Sequence, residues 1–430
     1  MGHPALTPLH EASTGRRLGQ IALTWALVLS AGLCHGEPDE DSLGKARNYP
    51  LAPSPSQWTQ PQYRVGSWSA VDQVPGALIQ PVARGSQVLP LPKASAAAPV
   101  RYRYGLFEYS LDEYLDRQRV TGLLILKDGE IVAERYRYNR SENDRFLSFS
   151  MAKSITSLLI GIAQSRGHIA SLDDKAEQYV KALADTPYGA TSILHLLRMS
   201  SGLTFTERYD GRDDVARLSR AVGTGQPSVP AVLGAIQDRH SPAGSKFVYA
   251  SAETEILGRV LTAATGKTMG ELTSEWLWKP LGAEHDAFWC TAQDGQAAAY
   301  FCFNASLRDW ARLGLLLARN GQVGEQQIIP REYLLDATDA NRQPGAFAPG
   351  RATPYFGYGY QFWLHPLRSR SFAMQGVHGQ AVFVQPESGI VMVQTAVYAG
   401  ASGQLDPSAY MERTAFWMGV LNSLGGKTSR

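Results

Sequence analysis

Ser150 and Lys153, three residues apart at the head of an apolar stretch, FLSFSMAKSITSLLIGIA, are the first pair in this chain whose types and spacing suggest chemistry. Positions i and i+3 of a helix share a face. A serine hydroxyl is a poor nucleophile until a neighbouring base takes its proton, and a lysine serves as that base when burial or nearby positive charge lowers its pKa. A helix N-terminus adds partial positive charge and free N–H groups, which favour an alkoxide or a tetrahedral oxyanion. The bare S-x-x-K spacing is weak, since Ser42 and Lys45 repeat it in a Pro-rich stretch. The competing structural account makes Ser150 a helix cap and Lys153 a snorkelling side chain.

Two further stretches strengthen the chemical account. In SPAGSKFVYASAETEILG, Tyr249 follows a Pro-Gly turn and precedes a helix. A loop tyrosine there relays a proton between nucleophile and leaving group if cationic neighbours depress its pKa. In QGVHGQAVFVQPESGIVMV, Gly376 and Gly379 weaken a strand unless something must approach its backbone closely, and a substrate carbonyl is such a group. A strand edge beside Ser150 would then offer a second oxyanion donor. His378 either points into the same cleft or satisfies a turn.

These residues need elements to hold them. TGLLILK and EIVAERYRY alternate on either side of Asp128-Gly129, a strong β-hairpin signal that leads directly into the Ser150 helix. From about residue 170 to 285 the pattern is mainly helical, with ILHLLRMSSGL and TEILGRVLTAATG each ending at a glycine. SLRDWARLGLLLARNG predicts another amphipathic helix, FAMQGVHGQAVFVQP and GIVMVQTAVY predict strands, and a last helix follows from Ser408. Strands at both ends with helices between them imply an α+β fold: one antiparallel sheet, built from distant segments, flanked by helices, with a mainly helical second region.

The rest of the chain bounds the partners. Its 430 residues carry a net charge of +2 and no basic run interleaved with aromatics, so neither nucleic acid nor, beyond an N-terminal anchor, a membrane is expected as a partner. No His/Cys cluster has metal-ligand spacing, and neither a metal nor another cofactor is expected. Residues 1–36, with Arg16-Arg17 before LGQIALTWALVLSAGLC, predict a signal peptide and an exported, periplasmic or secreted protein; an uncleaved N-terminal anchor is the alternative. Residues 37–99, rich in Pro, Ser and Ala with isolated aromatics such as Trp58, Tyr63 and Trp68, predict an extended arm over a folded body or a linker. Residues 100–425 form the main domain. Cys290 and Cys302 bracket a hairpin-like turn and either bond or remain buried thiols. Oligomeric state is not legible.

From about residue 121 to 398 the order of elements resembles the serine β-lactamase-related hydrolases, which include class C β-lactamases, D-Ala-D-Ala carboxypeptidases, some esterases and 6-aminohexanoate-dimer hydrolases. The resemblance rests on SFSMAKSITSLLIGIA, LLRMSSGL, FVYASAETEILGRVLTAATG, WLWKPLGAEHDAFW and NASLRDWARLGLLLARNG, the last two being most similar to the 6-aminohexanoate-dimer hydrolase branch. It implies the β-lactamase/transpeptidase-like fold, a small-molecule amide or ester substrate, Ser150 as the acylated nucleophile, Lys153 as its partner and Tyr249 as proton relay. Ser251 stands where the family's Y-x-N element has asparagine, a substrate-binding position. Met374-Gln375-Gly376-Val377-His378 replaces the K-T-G strand, which removes the cation that would meet a β-lactam carboxylate. If Gly376 matches the motif glycine, the N–H of Val377 joins that of Ser150 as the oxyanion hole; if His378 matches the lysine, the donor lies nearer Gln380. Gly376 and His378 then line the substrate site, and Tyr209, in FTERYDG, falls where the amide-hydrolysing branch has a mobile aromatic. A penicillin-binding or D-Ala-D-Ala carboxypeptidase activity, a weak class C-like β-lactamase, and a non-catalytic exported binding protein are the alternatives.

Overall fold

A computed structural model describes residues 37–95 and 99–430; the expected signal segment lies outside the described residues. The centre is a seven-stranded antiparallel sheet. Its order is Gly357–Tyr358, Trp363–Leu364, Phe372–Gln375, Ala381–Gln385, Ile390–Ala396, Val120–Lys127 and Glu130–Tyr136. The predicted hairpin is there, with Lys127 opposite Glu130. Asp128 and Gly129 both have positive φ, 53° and 92°, the backbone a two-residue turn between twisted strands requires.

Both faces of this sheet are covered, and the period of two shows how. Leu124, Leu126, Val382, Val384, Val391 and Val393 face the larger core, under the Leu307–Ala318 helix. Leu123, Ile125, Phe383, Ile390 and Met392 face the smaller one, beneath the Leu111–Arg117 and Pro407–Ser423 helices. Strands buried on both sides read as continuous apolar runs, which is why GLLIL and GIVMV lack a polar face.

A second, four-stranded antiparallel sheet, which the sequence did not announce, joins Ile79–Val82, Ala287–Cys290, Phe303–Ala305 and Phe146–Leu147. The first of these strands comes from the Pro-rich segment. That segment is thus more than an arm lying over the body: Leu43, Tyr49, Trp68, Val71 and Val82 are buried in the main core. It also covers the Glu130–Tyr136 sheet edge, where Ile131 donates to Pro92 O and Ala94 donates to Ile131 O. A region of short helices, among them Ile193–Leu197 and Asp214–Thr224, packs against the Ser251–Thr265 helix.

Candidate active site

Phe146–Leu147 delivers the chain to a 3-10 turn, Phe149–Met151, which runs straight into the Ala152–Ser165 helix. Ser150 therefore sits one turn ahead of the α-helix proper. The helix has no side-chain cap, so the capping account of Ser150 fails. Its hydroxyl instead receives a hydrogen bond from Lys153 Nζ at 3.1 Å.

Lys153 does not snorkel. It is 1% exposed, and its ammonium donates also to Ser251 Oγ (3.0 Å) and to the Tyr300 carbonyl (2.7 Å). The rings of Tyr249 and Tyr300 lie 5.2 and 5.4 Å from Nζ. Burial lowers the Lys153 pKa to about 8, with the charge of Glu207 opposing the shift. The three hydrogen-bond partners are all uncharged, so solvation lost on burial is only partly replaced.

Tyr249 precedes the Ser251–Thr265 helix and stacks on Trp363 at 5.6 Å, with Tyr358 edge-on at 6.3 Å. The expectation that cations would depress its pKa does not hold. Burial, reinforced by Glu207, pushes the hydroxyl well above the usual tyrosine range, with a hydrogen bond to Ser150 acting in the other direction. The Tyr249 hydroxyl therefore keeps its proton at neutral pH.

Ser251 faces inward rather than toward an open cleft. It is 1% exposed, accepts from Lys153, donates its hydroxyl to Glu207 Oε1 (2.9 Å), and donates its N–H to Glu207 Oε2 (2.8 Å). Tyr209 has φ 59°; its N–H donates to Asp213 (2.7 Å) and its hydroxyl to Glu207 Oε1 (2.8 Å). Glu207 thus collects Ser251 and Tyr209 behind Lys153. Sequence reasoning passed over it, although it lies two residues before Tyr209 in the same quoted loop; a single carboxylate in a surface-like loop carries no spacing signal.

The strand after Phe372 ends against the turn that holds Ser150. A Cβ on Gly376 would lie 2.3 Å from Ser148 O and 3.1 Å from Phe149 Cβ. The group that approaches this glycine most closely within the protein is the Ser148 carbonyl. Val377 follows directly. His378, with φ 58°, donates from Nδ1 to Tyr398 O at 2.8 Å, because a carbonyl can only accept, and packs on Trp68 and Phe149. Burial lowers its pKa to about 4, so the ring is neutral at physiological pH. Cys290 and Cys302 are joined as a disulfide.

Comparison with known proteins gives the family and the fold. The Beta-lactamase family profile matches residues 108–406. The 6-aminohexanoate-dimer hydrolase of Paenarthrobacter ureafaciens is 26% identical over 291 residues, covering 66% of this chain and 74% of that protein. A solved structure from Bacillus anthracis that carries the 6-aminohexanoate-dimer hydrolase name superposes with a TM-score of 0.74 at 25% identity, over 86% of this chain and 99% of that one. EstCE1, a hydrolase with promiscuous acyltransferase activity, superposes with a TM-score of 0.56 at 15% identity, over 71% of this chain and 96% of its own, a likeness of fold alone.

Proposed function

The chain belongs to the Beta-lactamase family and is a serine hydrolase of amide or ester bonds; from that premise we propose that Ser150 is its acylated nucleophile and that short linear amides, like those named for its 6-aminohexanoate-dimer hydrolase relative, are its substrates. The observation that carries the proposal is the contact of Lys153 Nζ with Ser150 Oγ at 3.1 Å in a site where burial brings the lysine to about 8. An ordinary lysine holds its proton too tightly to serve as a base near neutral pH.

In the mechanism, unprotonated Lys153 takes the Ser150 proton as Oγ bonds to the substrate carbonyl carbon. The carbonyl electrons move to oxygen, and the N–H groups of Ser150 and Val377 hold the oxyanion. Collapse breaks the bond to the leaving nitrogen or oxygen, which receives the proton from Lys153 through the neutral Tyr249 hydroxyl. Water then adds to the acyl-serine by the reverse route and the acid leaves, a ping-pong sequence. Glu207 and Ser251 hold Lys153 in place, and Tyr209 is tied to them through Glu207.

Phe247, Tyr249, Tyr358 and Trp363 form a contiguous aromatic cluster at the relay residue. An apolar chain suits such a wall better than a carboxylate does. With Gly376 at the motif glycine, Met374 stands where the family's lysine would meet a β-lactam carboxylate, which argues against efficient penicillin hydrolysis. Export is part of the proposal and is supported by the Cys290–Cys302 disulfide, a bond at home in oxidising compartments. Steady-state assays with p-nitrophenyl acetate, the 6-aminohexanoate dimer and a chromogenic cephalosporin test the reading. Turnover of the first two and not the third supports it; turnover of the cephalosporin alone overturns it.

A further inference from the structure

The two proposed oxyanion donors, the N–H groups of Ser150 and Val377, come from segments far apart in sequence. Each is flanked by a non-glycine residue in the left-handed region: Phe149, φ 43°, immediately before Ser150, and His378, φ 58°, immediately after Val377. Such backbone costs energy and persists only when its surroundings over-determine it. Here the two side chains meet, with ring centroids 5.7 Å apart. One residue packs on both: Trp68, whose ring lies 4.8 Å from Phe149 and 4.9 Å from His378.

Trp68 is itself firmly held. It is 4% exposed, its carbonyl accepts from Leu147 N at 2.7 Å, and the adjoining Ser69 carbonyl accepts from Arg145 N. Arg64 lies over its ring at 5.4 Å and donates to the Tyr398 carbonyl, the same oxygen that receives Nδ1–H of His378. The segment that carries Trp68 precedes residue 108, where the family match begins. Among the described residues the indole N–H has no hydrogen-bond partner.

We propose that Trp68 is a positioning residue for the oxyanion hole: filling the space between Phe149 and His378, it fixes the spacing of the Ser150 and Val377 N–H groups. The N-terminal segment thereby acts on the reaction without touching substrate. The inference rests on the reading of Ser150 and Val377 given above.

The test compares p-nitrophenyl acetate with its thiono analogue, in which C=S replaces C=O. Sulfur is a poorer hydrogen-bond acceptor, so a well-spaced oxyanion hole favours the oxygen ester, and the ratio of the two kcat/KM values reads the hole itself. Wild type and Trp68→Leu, Trp68→Phe and His378→Asn are measured alongside far-UV circular dichroism. Trp68→Leu is expected to slow the oxygen ester by about tenfold or more and to lower the ratio, as displaced donors should. Trp68→Phe, which loses no hydrogen bond, should restore most of both. If Trp68→Leu does not fold, Trp68→Phe and His378→Asn decide, with a smaller drop in the ratio expected for the first. An unchanged ratio in the folded variants, including equal loss on both esters, overturns the inference. Fluorophosphonate labelling of wild-type Ser150 separates the two failures: label with an unchanged ratio rejects only the role of Trp68, whereas no label rejects the underlying reading with it.

Discussion

Lys153 reaches back one helical turn to Ser150, Nζ to Oγ 3.1 Å, and does so buried among uncharged partners. A base of lowered affinity for its proton is thereby set against a hydroxyl at the entrance of a helix. A lysine paired with a carboxylate would keep its proton through the neutral range.

The pH dependence follows. Lys153 must be unprotonated to accept the serine proton, and its pKa is about 8. The kcat/KM of the free enzyme should rise about tenfold per pH unit below 8 and level above it. A profile flat from pH 6 to 9 would remove Lys153 as the base.

Glu207 tunes that limb. Its charge raises the pKa of Lys153 and also that of Tyr249. Glu207→Gln keeps one oxygen to accept from the Ser251 and Tyr209 hydroxyls, gives up the acceptor facing the Ser251 N–H, and removes the charge. The acid limb should move to lower pH, read from the same profile; a shift upward would contradict the assignment.

Gly376 tests the approach of the strand to the nucleophile turn. Its φ is −125°, ordinary for any residue, so Gly376→Ala adds no backbone strain. The new Cβ would nevertheless stand 2.3 Å from Ser148 O, and the turn must shift. Displacement approaching 1 Å should cost about 100-fold in kcat. Stopped-flow acylation would show it, and a rate within twofold of wild type would mean the strand end does not set the site.

The hairpin, the helix that follows it and the Ser150/Lys153 contact were legible because each is local: an Asp-Gly turn between alternating runs, and a spacing of three on one helix. The two buried faces of the sheet were legible only in part, since GLLIL reads the same whatever covers it. Glu207, the inward turn of Ser251 and the burial of Trp68 were not legible. They depend on contacts between residues 44 or more positions apart, as in the Ser251–Glu207 bond, which no periodicity encodes. The arm misled for a related reason. Its short turns and Pro-rich composition carry no helical or strand period, yet Leu43, Tyr49, Val65, Trp68, Val71 and Val82 are buried through non-local packing.

Glu253 gives a stability prediction independent of catalysis. It is 1% exposed, accepts from Ser201 Oγ at 2.6 Å, and its Oε2 has no partner among the described residues. Burial raises its pKa from 4.5 to about 8. The folded protein therefore holds a proton that the unfolded chain releases above pH 4.5, and stability falls as pH rises from there to 8. Glu253→Gln should match the parent near pH 4 and exceed it by about 5 kcal/mol above pH 8 in urea unfolding. An equal difference at both pH values would contradict the burial account.

The central claim is that Ser150 is an activated nucleophile. Intact-mass spectrometry after exposure to an activated fluorophosphonate, with wild type beside Ser150→Ala, tests it most directly. One covalent adduct on the wild type and none on the variant is the predicted result; no adduct on either, or the same adduct on both, would contradict it.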